Sequence, residues 1–257
     1  MKLYPLFSSS KGNCTYIGNS SFGLLVDCGV SYRKLQGALL DNSLDIGKIR
    51  AVLITHEHTD HTKGLRMLTR HHAIPVYATP RTLDVLYDRG DIGSSAVPAE
   101  GTFSIGEALI NPFPVPHDAV SPCGYRIDFE ECACGVCTDT GKVTDRMVES
   151  LRGVNAALIE ANYDSQMLKN GFYPKEIKDR LSSGMGHLSN RQCGEFAAQL
   201  IKSGTSQIVL GHMSENNNTP EYAMAGVTAV LTREGLESGR DYMLSLASQM
   251  YGKYISF

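Results

Sequence analysis

No stretch of the chain approaches the ~20 consecutive apolar residues of a membrane-spanning helix. The opening Met1-Lys2-Leu3-Tyr4-Pro5-Leu6-Phe7-Ser8 is also too short an apolar run for a secretory signal. A cytoplasmic protein without membrane contact is expected. The seven cysteines, Cys14, Cys28, Cys123, Cys132, Cys134, Cys137 and Cys193, are odd in number and lack framework spacing, so free thiols are expected. A basic excess is missing too: 24 Lys and Arg against 27 Asp and Glu give a net charge of −3. That balance argues against broad, nonspecific nucleic-acid binding and leaves only local basic patches. There is no low-complexity linker and no short repeat. With 257 residues, 42% of them hydrophobic and 20% charged, the chain reads as one soluble domain over 1–257 with ample core.

What is present is strand-rich at first. Leu3 to Phe7, Thr15 to Gly18, Gly23 to Asp27 and Arg50 to Thr55 are short β-prone runs between Gly, Ser and Asn turns. Helical patterns cover Ser31 to Leu40, with Tyr32, Leu35 and Leu39 on one face, then Lys63 to His72 and Pro80 to Asp88. Ile74 to Ala78, Thr102 to Ile105, Ala108 to Pro114, Gly124 to Phe129 and Cys132 to Thr138 read as further strands. The second half alternates. Helices are expected over Thr144 to Arg152, from the capping box Ser189-Asn190-Arg191-Gln192 through Lys202, and from Thr219-Pro220 to Arg233. Strands fall at Ala156 to Glu160 and Gln207 to Gly211, and Met243 to Phe257 carries alternating strand-like runs. Strand-rich halves with helices in each predict an α/β fold of four layers, two mixed sheets face to face with helices outside.

The most informative segment is Thr55-His56-Glu57-His58-Thr59-Asp60-His61, which follows the apolar run Ala51-Val52-Leu53-Ile54 and holds three of the chain's eight histidines. On an extended backbone His56 and His58, two residues apart, point the same way. Asp60 and His61 follow where the chain turns, within reach of a second ion beside the first. Imidazole is the commonest metal ligand, so a metal site is expected here rather than a polar turn. Three downstream residues also sit in turns after strands: His117 in Val115-Pro116-His117-Asp118-Ala119, Asp139 in Thr138-Asp139-Thr140-Gly141, and His212 after Ile208-Val209-Leu210-Gly211. Alone, His117 is an ordinary loop histidine and Asp-Thr-Gly a common turn. Cys134-Gly135-Val136-Cys137 is a CxxC with Cys132 nearby; lacking a second such pair, it reads as core thiols ahead of a zinc or redox site.

The order His-x-His-x-Asp-His, then His, then Asp-Thr-Gly, then a strand-end His resembles the metallo-β-lactamase superfamily of dinuclear hydrolases over nearly the whole chain. The resemblance implies that His56, His58 and His117 hold one ion and that Asp60, His61 and His212 hold another, with Asp139 bridging. Asp27, in Leu24-Leu25-Val26-Asp27-Cys28-Gly29, matches the family's strand-end carboxylate that supports the histidine loop from behind. Two divalent ions are implied, Zn²⁺ or Mn²⁺, with Fe²⁺ also suited to the ligands. Asp139 together with Asp60-His61 disfavours the β-lactamases, where a Cys commonly serves as a ligand. Glu160 after Ala157-Leu158-Ile159, and His187 in Gly186-His187-Leu188-Ser189-Asn190, are similar to elements of the RNase Z-like phosphodiesterases. There a carboxylate orients a histidine that contacts the phosphate or protonates the leaving group. Catalytic roles are therefore implied for Asp60, Glu160 and His187.

Phe7-Ser8-Ser9-Ser10-Lys11-Gly12-Asn13-Cys14, Gly186 to Asn190, and His212-Met213-Ser214-Glu215-Asn216-Asn217 look like the YycJ/WalJ-type branch, which is associated with DNA exonuclease activity. This implies substrate contacts at Ser9, Asn13, Ser189 and Asn216. The stretch from His117 to Asp139 is too short for a tRNA-grasping arm, and Asp139 to His187 leaves no room for an inserted nuclease domain. Too little chain follows His212 for the helical substrate domain of glyoxalase II. The implied activity is a 5′-directed DNA exonuclease, with nucleic acid as the partner. A phosphodiesterase acting on small cyclic phosphates, or a glyoxalase II-like thioesterase, remain open as rivals. The basic runs Lys169 to Arg180, including Lys175 and Lys178, and Arg66, Arg70, His71 and His72 read first as solvated helix faces and second as substrate contacts.

Overall fold

Strands that are apolar on both faces need cover on both faces, and that demand sets the number of layers. The computed structural model describes residues 1–247 and 254–257. Strands β1 (Lys2–Ser9), β2 (Gly12–Gly18), β3 (Gly23–Val26), β4 (Ile49–Leu53), β5 (Val76–Ala78) and β6 (Ala96–Pro98) build the first sheet. Strands β7 (Phe103–Ile105), β8 (Ala108–Pro114), β9 (Cys123–Asp128), β10 (Ala133–Cys137), β11 (Ala156–Glu160), β12 (Gln207–Gly211) and β13 (Met243–Leu246) build the second. The last described strand, β14 (Ile255–Ser256), returns to pair with β1. The spatial orders are β14-β1-β2-β3-β4-β5-β6 and β13-β12-β11-β10-β9-β8-β7. Both sheets are mixed, with parallel pairing from β3 to β6 and from β10 to β13. Parallel neighbours end together, so the carboxyl ends of β3 and β4 share one edge, as do those of β10, β11 and β12.

Period-two alternation divides the side chains between cores. In β3, Leu24 and Val26 point between the sheets while Leu25 points out; in β4, Ala51 and Leu53 point in and Val52 out. In β11, Ala156 and Leu158 point in, and Ala157 and Ile159 out. The inward set meets Ile110, Tyr125 and Ile127 across the gap. The first sheet's outer face is covered by α1 (Tyr32–Asp41), α3 (Leu65–His71) and α4 (Pro80–Asp88) through Leu35, Leu39, Leu65, Leu68, Leu83 and Leu86, with α2 (Thr59–Thr62) between them in sequence. The second is covered by α5 (Asp145–Ser150), α8 (Asn190–Lys202) and α9 (Pro220–Arg233) through Met147, Phe196, Leu200, Val227 and Leu231. Two short helices, α6 (Ser165–Asn170) and α7 (Lys175–Leu181), lie between β11 and α8. Each buried Leu or Phe contributes roughly 1.5–3 kcal/mol. The four-layer αββα expectation is met.

Local signals place the helix starts. Ser31 accepts a hydrogen bond from Lys34 N, Thr219 from Tyr222 N with Pro220 in the first turn, and Ser189 with Gln192 completes a capping box. Three details differ from expectation. The helix expected over Lys63 to His72 is broken at Gly64, which caps α3. A Cβ on Gly64 would lie 2.3 Å from the Val30 carbonyl oxygen, so the chain must bend there to let the β3–α1 loop pass. Strand β6 carries no alternation to find it by, being three residues long and ending in a proline. Of the strand-like runs expected over Met243 to Phe257, β13 and β14 are formed, and 248–253 lie outside the described residues. Among the described residues no helix is long and apolar enough to cross a membrane.

Candidate metal centre

The histidine loop begins where β4 runs out. Thr55 N donates to Asp27 Oδ1 at 2.9 Å and the Thr55 hydroxyl lies 3.0 Å from Asp27 Oδ2, tying the loop to the end of β3. The His58 backbone is still extended (ψ 148°), and α2 starts at Thr59 with Asp60 in its first turn. The helical turn carries His61 back under the loop, where its Nδ1 donates to Asp27 Oδ2 at 2.8 Å. That bond orients the ring and turns Nε2 toward Asp139 and His212. The β3–α1 loop presses against the same turn. A Cβ on Gly29 would sit 1.6 Å from the Asp60 carbonyl oxygen, so no side chain is tolerated there.

The second sheet delivers single residues at strand ends. Asp139 lies just beyond β10 and His212 directly after β12, and both have left-handed backbones (φ 56° and 50°), as does Asp27 after β3 (φ 63°). A left-handed residue costs of order 1–3 kcal/mol outside glycine and persists only when its surroundings hold it. His212 is held on both sides: its N–H donates to Ser8 Oγ at 2.8 Å, and its carbonyl accepts from Asn162 Nδ2 at 2.8 Å. His117, beyond β8, donates from Nδ1 to the Gly186 carbonyl at 3.1 Å.

These elements bring all seven proposed ligands together. His56, His58 and His117 offer ligand atoms within 4.8 Å of one another; so do Asp60, His61 and His212, and so do His56, His61 and Asp139. Asp139 sits between the groups, with Oδ2 3.2 Å from His61 Nε2 and Oδ1 3.2 Å from His212 Nε2 and 3.8 Å from His117 Nε2. Whether a cation fits is tested by the polar atoms left over. His56 Nε2, His117 Nε2 and Asp139 Oδ2 are buried and make no hydrogen bond. Each such atom costs about 1–3 kcal/mol, and a divalent ion satisfies them together. The residues fit a metal.

The electrostatics agree. Burial, reinforced by the neighbouring His61, holds the His56 imidazole far below its ordinary pKa, and burial does the same more mildly to His117. Both are therefore free bases with a lone pair to give. Burial would raise Asp139, but His212 and His61 outweigh it and hold the carboxylate ionised. Burial also opposes the charge on His61, and here Asp139 and Asp27 win, raising it well above the usual range, so His61 carries a proton that a cation at Nε2 would have to displace.

Beside the cage stands a second pair. Glu160, fully buried at the end of β11, accepts from His187 Nδ1 at 2.6 Å and from Thr140 N at 2.9 Å. With both oxygens engaged, Glu160 orients rather than ligates. Burial would depress the His187 imidazolium, yet the Glu160 charge and hydrogen bond raise it to about 9. The His187 ring lies 5.3 Å from that of His117 and 5.4 Å from that of His212.

The four residues read as substrate contacts differ in their surroundings. Asn13 is buried against the cage, its Nδ2 3.1 Å from His61 Nε2 and its Oδ1 3.2 Å from His212 Nδ1, so it braces two imidazoles instead of meeting solvent. Ser189 is buried too, and its hydroxyl donates to Gln192 Oε1 at 2.7 Å in the helix cap. Ser9 Oγ accepts from Lys11 N at 3.2 Å within the β1–β2 turn. Asn216 is exposed and donates to the Tyr173 hydroxyl at 2.8 Å. Sequence reasoning missed Thr55, Ser8 and Asn162 as supports; only Thr55, directly before His56, carried a positional signal. It also missed Glu57, whose Oε1 accepts from Val120 N at 2.8 Å and so ties the His117 loop to the histidine loop.

The cysteines form no second centre. All seven are free, and none joins a candidate ligand group among the described residues. Cys134 points into the inter-sheet core and Cys137 into the outer one, so the CxxC thiols face opposite sides of β10. Burial pushes Cys28 and Cys123 up to about 12.

Comparison with known proteins gives a consistent result. The family described as "Beta-lactamase superfamily domain" matches residues 23–213. Exodeoxyribonuclease YycJ of Bacillus anthracis is 35% identical over 243 residues, covering 92% of this chain and 91% of that protein. Exodeoxyribonuclease WalJ of Streptococcus pneumoniae serotype 2 is 34% identical, covering 92% and 90%. Among solved structures, Zn²⁺-bound PqqB from Methylobacterium extorquens superposes with a TM-score of 0.74 at 18% identity, covering 100% of each chain. That last likeness is one of fold.

Proposed function

The chain belongs to the metallo-β-lactamase superfamily, and from that premise we propose that it is a dinuclear, metal-dependent phosphodiesterase acting on DNA as a 5′-directed exonuclease. The observation that carries this reading is the Glu160–His187 pair, 2.6 Å apart beside seven converging ligands. The full-length similarity to two proteins named exodeoxyribonucleases supports DNA as the substrate class. Residues 1–257 act as one domain, in the cytoplasm, where the seven thiols stay reduced.

His56, His58 and His117 would hold one ion, and Asp60, His61 and His212 the other, with Asp139 shared. Bound divalent ions, Zn²⁺ or Mn²⁺ with Fe²⁺ also suited, supply Lewis-acid stabilisation of the phosphodiester and lower the pKa of a water. The protein's own groups do the rest. Asp60, partly exposed at the mouth, orients the attacking water and takes its proton. His187, cationic at neutral pH, faces charge developing on the phosphate and donates a proton to the departing oxygen. Glu160 keeps the imidazolium charged and aimed. Asp27 and Thr55 hold the histidine loop in place.

The test is incubation with Mn²⁺ or Zn²⁺ and a 5′-phosphorylated DNA strand labelled at one end or the other. Stepwise loss of nucleotides from the 5′ end is expected. Turnover of a cyclic nucleotide without DNA degradation would overturn the reading in favour of a small-molecule phosphodiesterase.

A further inference from the structure

Between Glu160 and His187 the chain leaves the sandwich and builds the α6–α7 hairpin. Helix α7 has no buried residue, so the core does not explain its placement. The hairpin is nevertheless fastened to the site. A Cβ on Gly141, two residues past Asp139, would lie 2.4 Å from Met185 N, so the two backbones touch. Gly186 receives the His117 hydrogen bond, and Arg180 pairs with Asp118 beside His117. At the far end, Asn216 pins the Tyr173 hydroxyl to the loop that follows His212.

The segment from Phe172 to Met185 exposes three large apolar side chains. Phe172 is 80% exposed, Met185 49% and Ile177 40%, all within one short segment. The Phe172 ring meets Tyr173 edge-on, with centroids 5.1 Å apart and planes at 72°. An open groove of about 440 Å³ runs between the helices, lined by Tyr163, Leu168, Lys169, Lys175, Lys178 and Asp179 among others. Three lysines against one carboxylate make it locally positive in a chain whose net charge is −3. Tyr163, one of the residues lining the groove, bridges to Ser189 and lies three residues beyond Glu160.

We propose that this hairpin is a docking rim for a single-stranded stretch of nucleic acid, with a base stacked on Phe172 and backbone phosphates along Lys169, Lys175 and Lys178. Phe172 lies in the turn between Lys169 and Lys175, which line the groove, and an exposed aromatic ring joined to a basic groove is the arrangement that binds single strands without reading sequence. Held at the mouth of the metal centre, it positions the strand whose end is cut. The proposal rests on the nuclease reading for its substrate class.

The experiment measures binding and cutting separately. Binding of a non-cleavable phosphorothioate single strand is followed by fluorescence anisotropy across a salt series, and bis(p-nitrophenyl) phosphate hydrolysis monitors the centre. Phe172→Ala is expected to weaken strand binding roughly tenfold and to leave small-substrate hydrolysis unchanged. The double variant Lys175→Gln/Lys178→Gln should flatten the slope of log affinity against log salt by up to about 0.7 per lysine. Wild-type affinity and salt slope in both variants would overturn the rim. So would a change in oligomeric state on Phe172→Ala with unaltered strand binding, which makes the patch a self-association surface. If the strand binds through Phe172 but intact DNA is never cut, the nuclease reading fails and the rim stands.

Discussion

The first sheet supplies its share of the centre from one continuous stretch, Thr55 to His61, whereas the second supplies His117, Asp139, Glu160 and His212 from four separate strand ends. The continuous stretch is organised locally, by one extended run, one helical turn and a single carboxylate behind it. The scattered set exists only once β8, β10, β11 and β12 are in register. Asp139, packed between His61 and His212, is where the halves meet. The comparison suggests a division of labour. The first sheet presents its four candidate ligands from one loop, and the second adds His117, Asp139 and His212 together with the Glu160–His187 pair.

Breaking the junction should cost most. Asp139→Ala is expected to lower phosphodiester hydrolysis about a thousandfold or more, because several kcal/mol of charge stabilisation go with a lost ion. Elemental analysis should show fewer ions per chain. A variant with full metal content and activity would mean that the two halves do not share this carboxylate.

Next comes the proton-transfer side alone. His187→Ala should lower kcat by about 10²–10⁴-fold while the metal content stays the same. The sign of the pH dependence follows from the raised pKa. The charged form is present below about 9 and is lost as pH rises through it, so activity should fall on the alkaline side. In Glu160→Gln that alkaline limb should move to lower pH. A limb that stays put in this variant removes Glu160 as the group that sustains the charge.

A smaller effect should separate support from ligation on the first sheet. Asp27→Asn is expected to weaken metal affinity about 10–100-fold, read by competition with a chelator, since it loosens His61 and Thr55 together. Full affinity there would show that the loop holds itself. Least affected should be Cys137→Ala, whose side chain packs into the outer core of the second sheet and joins no candidate ligand group among the described residues. It should cost about 1 kcal/mol in denaturant unfolding and leave the ion count unchanged. A lost ion would reopen the CxxC as a metal site.

The same contrast explains what was legible in advance. The β-prone run Leu24-Leu25-Val26 between turn residues and the capping box at Ser189 are local signals, and they placed strands and helices well. The histidine loop was legible because its spacing alone implies shared direction. His117 and Asp139 were readable only through the order of the whole set, since each alone is an ordinary turn residue. Substrate contacts at Asn13 and Ser189 follow from the resemblance of their flanking words to the YycJ/WalJ-type branch. Their burial depends on contacts with Asp60, His61 and Gln192 that no local pattern encodes. Asn162, which fixes the His212 carbonyl across 50 positions of sequence, carried no signal at all.

The left-handed backbones at Asp27, Asp139 and His212 bear on how this protein would respond to selection. Glycine at any of the three would relieve the torsion and remove a group the centre needs. A screen for heat resistance alone would therefore drift toward glycine at these positions and enrich inert variants. A screen run with a chelator-buffered ion present would not, because the strained geometry is then stabilised by what it binds. Stability engineering of this protein needs the metal in the selection, not only in the assay.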